Sequence, residues 1–89
     1  MDIDIVGHVK PYRGTDSIKR VIFQRKVEQA NKLEAYFRNY SFTEEVQIFT
    51  YNDIANETFL GRETIKKLLI PIGGGSNGVT LPKPGTVID

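Results

Sequence analysis

The stretch Asn52-Asp53-Ile54-Ala55-Asn56-Glu57-Thr58-Phe59-Leu60-Gly61-Arg62-Glu63-Thr64-Ile65-Lys66-Lys67-Leu68-Leu69 holds two short runs of helical period with a break between them. Asn52 or Asp53 offers the first run a capping side chain, and Ile54 and Ala55 give it an inner face. Phe59-Leu60-Gly61 interrupts it. Residues 62–70 then read as a second helix that buries Ile65, Leu68 and Leu69, which recur at the three- and four-residue steps of one helix face. Pro71 ends that helix, because proline cannot donate the next backbone hydrogen bond.

On the N-terminal side of this unit, Val46-Gln47-Ile48-Phe49-Thr50-Tyr51 is rich in β-branched and aromatic residues and reads as a short strand, reached through a polar connection at 41–45. On the C-terminal side, Leu69-Ile70-Pro71-Ile72 and Val79-Thr80-Leu81 flank the glycine-rich Gly73-Gly74-Gly75-Ser76-Asn77-Gly78, the pattern of a β-hairpin with a long, mobile tip. Further upstream, residues 18–40 contain neither Gly nor Pro, and Thr15-Asp16-Ser17 supplies three candidate caps for a helix of about six turns. Phe23, Val27, Ala30, Leu33, Phe37 and Tyr40 draw an apolar stripe along it, read as core. Ile18, Val21, Ile22 and Tyr36 widen the stripe, and their alternative use is a homodimer packed through the long helix. Ile3-Asp4-Ile5-Val6-Gly7-His8-Val9 alternates well enough for a first strand. The expected organisation is therefore one domain over residues 1–81 and an extended tail over 82–89.

The order long helix, short strand, short helix, turn, helix, hairpin resembles a winged helix, an α+β fold, and residues 52–69 resemble the helix-turn-helix of bacterial and phage regulators. Ile54, Leu60, Ile65 and Leu68 stand where that family places the apolar residues locking its two helices. Ala55 stands where it wants a small one, and Arg62-Glu63-Thr64-Ile65 is similar to the opening of its recognition helix. Two positions depart: Thr58 replaces an apolar residue, and Phe59 stands in place of a turn glycine, which implies a differently built turn or a break shifted by one residue. The resemblance implies non-catalytic binding of double-stranded DNA, in regulation of transcription or replication.

Composition narrows the alternatives. Eighty-nine residues make one small domain, and with no cysteine and one histidine, His8, neither a thiolate zinc site nor a cysteine nucleophile is available. No catalytic constellation assembles around His8, and a metal site of Asp2, Asp4 and His8 is not expected. The glycine-rich tip lacks the Gly-Lys-Ser/Thr of a phosphate loop. No cofactor is expected, nor a membrane span, and the acidic Met1-Asp2-Ile3-Asp4 is unlike a signal peptide, so the expectation is a cytoplasmic, nucleoid-associated protein.

Net charge is +1, but it is segregated: residues 1–40 carry +3, residues 41–61 carry −4 with no Lys or Arg, and residues 62–89 carry +2. Local potential, not total charge, attracts a polyanion. An α-helix fits the roughly 12 Å major groove, so Arg62 and Glu63 are the base-edge candidates, in a helix opening they share with Thr64. Gly61 as cap leaves backbone N–H groups free for a phosphate. Lys66 and Lys67 are candidates for phosphate contacts, as flexible point charges. Lys10, Arg13, Lys19 and Arg20 would add backbone contacts, and Ser76 and Asn77 would lie at the wing tip, which has no cation. Against this stands a module for protein contacts, favoured by the near-neutral charge, the uncharged tip and the acidic Glu44, Glu45, Asp53 and Glu57.

Overall fold

The computed structural model describes residues 3–83. It is an α+β arrangement of three helices and a two-stranded antiparallel sheet: α1 (Ser17–Asn39), β1 (Val46–Thr50), α2 (Tyr51–Thr58), α3 (Arg62–Leu69) and β2 (Gly78–Pro82). Of the expected tail, residues 84–89 lie outside the described residues, while Pro82 belongs to β2.

Asp16 starts α1, its carboxylate accepting from the N–H groups of Ile18 at 2.9 Å and Lys19 at 3.3 Å, so two of the helix's unpaired donors are satisfied at once. Only the C-terminal half of α1 is driven into the core: Ala30, Leu33 and Phe37 are fully buried, whereas Phe23 and Val27 are half-buried. Phe49 of β1 meets this half edge-on, with ring centroids 5.0 Å from Phe37 and 4.9 Å from Tyr40. Ile54 of α2, Ile65 and Leu69 of α3, and Val79 and Leu81 of β2 complete the same core.

The N-terminal segment is not a strand. Gly7 donates its N–H to the Asp4 carboxylate at 2.8 Å, a local bond that competes with sheet pairing and turns the chain into a 3-10 turn at Val6–His8, with Ile5 fully buried just before it. The hairpin expected between 69–72 and 79–81 is also replaced. Residues Ile70–Ile72 continue α3 as a second 3-10 turn, with Pro71 in the first turn, where its missing N–H costs nothing; Gly73, at φ 102°, then ends it. With that segment helical, β2 takes β1 as its partner, in a register running from Val46 opposite Pro82 to Thr50 opposite Gly78 and placing buried Phe49 opposite buried Val79. The pairing is close enough at Gly78 that an added Cβ would overlap the Phe49 carbonyl oxygen.

The strand also ends one residue sooner than its composition suggests. Thr50, and neither Asn52 nor Asp53, caps α2, its hydroxyl accepting from Asp53 N–H at 3.2 Å, and Tyr51 becomes the first helical residue. Tyr51 then ties down the glycine-rich tip expected to be mobile: its N–H bonds Asn77 O at 3.1 Å and its hydroxyl bonds Gly75 O at 2.5 Å. Burial raises the pKa of that hydroxyl.

The break between α2 and α3 absorbs both unusual residues. Thr58 is buried, but its hydroxyl donates to Ile54 O at 2.8 Å and accepts from Leu60 N–H at 3.4 Å, so no polar atom is stranded. Phe59 adopts the left-handed conformation itself, at φ 61° and ψ 18°, with its ring 87% exposed.

Candidate nucleic-acid interface

Helix α3 is a ridge whose buried side is set by Ile65 and Leu69, four residues apart on one face. Its outer side carries Arg62, Glu63 and Lys67, all exposed, with Thr64 and Lys66 half-buried at the flanks. Gly61 supplies no capping side chain, so the first-turn N–H groups of α3 have no side-chain acceptor.

A groove runs along each flank of this ridge. The first, of about 360 Å³, is lined by Arg62, Glu63 and Lys66 of α3, by Asn52 of α2 and by Ser76 and Asn77 of the tip. Five of the residues singled out in the sequence thus converge from two segments, because Tyr51 holds the tip against the start of α2. Arg62 is oriented within it: its Nη1 donates to Asn52 Oδ1 at 2.9 Å. A guanidinium held at one end by a neutral amide keeps its full charge and its remaining donors for a ligand.

The second groove, of about 310 Å³, is lined on its polar side by Thr64 and Lys67 of α3, by Lys10 and His8 after the first 3-10 turn, and by Lys26 of α1. Among the described residues no carboxylate lines it, so Lys10, Lys26 and Lys67, from three separate segments, border one space with no acidic residue among its walls, an arrangement that favours an anion.

The structure therefore divides the α3 cations: Lys66 joins Arg62 in the first groove, while Lys67 joins Lys10 in the second. Arg13, Lys19 and Arg20 line neither; Arg20 instead directs Nη2 at Gly14 O, 3.5 Å away, beside the start of α1. Two residues enter these grooves with no sequence signal for it: Asn52, whose pattern marks only a candidate cap, and Lys26 of the long helix. Lys10, Lys26 and Lys67 have no short spacing that would link them; only the meeting of their segments around one groove in the folded chain does.

Comparison with protein-family models, with curated proteins and with solved structures returned no match for the chain. Among the described residues no helix is long and apolar enough to cross a membrane.

Proposed function

We propose that the chain is a small winged-helix protein that binds double-stranded DNA without catalysis, in regulation of transcription or replication, with α3 entering the major groove. The observation carrying this reading is the convergence of Arg62, Glu63, Lys66, Ser76 and Asn77 around one open groove in which Asn52 orients the Arg62 guanidinium. An Arg so placed has the geometry to pair with the O6 and N7 of a guanine. The opposite flank, with Lys10, Lys26 and Lys67, suits the phosphates beside the groove. In this reading β1 and β2 form the wing sheet and residues 73–77 its tip, so the wing brackets α2 and α3 instead of following them.

The test is a salt titration of binding to a random-sequence duplex. Each neutralised phosphate contributes about −0.9 to the slope of log K against log salt, so two to four contacts give a slope of about −2 to −4. No binding at about 50 mM salt would overturn the reading. A protein-contact role is the second reading, favoured by the exposed apolar and acidic surfaces at the two ends of α1.

A further inference from the structure

Two surface regions carry large apolar side chains that the described chain leaves uncovered. One is the N-terminal half of α1, where Ile18, Val21 and Ile22 are 71%, 50% and 49% exposed. Lys19, Arg20, Arg25 and Lys26 are interspersed with them, and no carboxylate occurs in the helix before Glu28. The other region lies at the far end of the same helix. There the C-terminal half of α1, β1 and α2 enclose an open groove of about 720 Å³, with Tyr36, Tyr40 and Phe49 among its walls, Asp53 and Glu57 at its edge, and Ile48, 74% exposed, beside them. Lys32 is its only cationic lining residue among those described. Burial above all, then the neighbouring Tyr40, then Glu57 and Asp53, raise the Tyr36 pKa.

We propose that the N-terminal half of α1 in one copy of the chain docks into the acidic, aromatic groove of a second copy, so that the protein associates with itself head to tail. The two surfaces complement each other in charge and in chemistry. Residues 17–27 rise about 16 Å as a helix, and their cations meet carboxylates and aromatic faces in the groove, while Ile18, Val21 and Ile22 meet Ile48 and the tyrosine rings. A symmetric pairing of two α1 N-terminal halves would bury the same apolar residues but set Lys19, Arg20, Arg25 and Lys26 against their own copies, and like charges at an interface repel. Because the two surfaces differ, each contact leaves a free helix end and a free groove, so it is a heterologous contact that propagates or closes into a ring. It goes beyond DNA binding and does not depend on it.

Sedimentation of the full chain without nucleic acid tests this. The parent is expected to gain average mass with concentration, and less so at high salt. A helix-end variant, Ile18→Ser with Ile22→Ser, and a groove variant, Ile48→Lys with Glu57→Lys, should each lose at least tenfold in association. An equimolar mixture of the two should then regain a species of two chains and nothing larger, since the groove variant supplies an intact helix end and the helix-end variant an intact groove. Self-association of the groove variant at parental strength would mean a symmetric α1 contact and overturn the proposal. A monomeric mixture would do the same, as would a parent that stays monomeric up to about 1 mM. Far-UV circular dichroism checks that each variant folds, and Val21→Ser or Asp53→Lys, both at exposed positions, replaces a double variant that does not.

Discussion

Arg62 Nη1 lies 2.9 Å from Asn52 Oδ1, a bond that joins the first residue of α3 to the first turn of α2 across the break between them. If α3 binds DNA as proposed, Asn52 is a positioning residue for Arg62, the proposed base-reading side chain. Arg62→Ala should cost about 1 to 3 kcal/mol on a preferred duplex, obtained by selection from a random library, and far less on random sequence. Asn52→Ala should cost about 0.5 to 1.5 kcal/mol on the preferred duplex, and nothing further once Arg62 is already Ala. Equal, additive losses in that double-mutant cycle would show that the two residues act separately.

The lysines of the opposite flank should behave differently. On the proposed reading Lys67→Ala and Lys26→Ala each remove a charge set against phosphate, so each should weaken preferred and random duplexes alike and lower the salt slope by about one unit. Titrations at several salt concentrations decide the matter. A Lys26→Ala protein with an unchanged slope would remove Lys26 from the interface.

In the core, Ile65 is fully buried where α3 meets the rest of the molecule. Ile65→Ala should destabilise the fold by roughly 2 to 5 kcal/mol, since the cavity adds to the lost transfer free energy. Small domains have about 0.05 to 0.15 kcal/mol of stability per residue, so this is a large fraction of the total. The measurement is the urea midpoint, which should fall well below that of the parent.

Phe59 supplies the converse case. A non-glycine residue in the left-handed region costs about 1 to 2 kcal/mol, and glycine returns about 0.5 to 1 kcal/mol of that to unfolded-chain entropy. With its ring exposed, Phe59 contributes little burial. Phe59→Gly is expected to raise stability by about 0.5 to 1 kcal/mol and the thermal midpoint by several degrees. A lower midpoint would show that the ring makes a stabilising contact.

The elements that could be read from the sequence are those whose signals are local. Thr15-Asp16-Ser17 before a stretch free of Gly and Pro brackets the start of α1, and the spacing of Ile65, Leu68 and Leu69 marks the inner face of α3, where Ile65 and Leu69 are fully buried and Leu68 half-buried, because helix hydrogen bonds and helix faces both close within four residues. The approach of Arg62, Glu63 and Lys66 to one another followed from the same periodicity.

What required the tertiary structure was every choice between distant partners. Val79-Thr80-Leu81 alternates as a strand whatever lies beside it, and its pairing with β1 instead of residues 69–72 depended on Pro71 and Gly73 keeping that segment in a turn. Alternation at 3–9 likewise gave way to a bond from Gly7 to Asp4 and to the burial of Ile5. Lys26 entered a groove with Lys10 and Lys67, and Asn52 met Arg62, only when separate elements packed together. A period of two or of 3.6 specifies which way a side chain faces, and the chain alone therefore marked its three helices, the inner faces of α3 and of the C-terminal half of α1, and its charge segregation. Which surface each face meets depends on the closure of the whole core, and that left the sheet pairing, the N-terminal turn and the membership of both grooves to the fold.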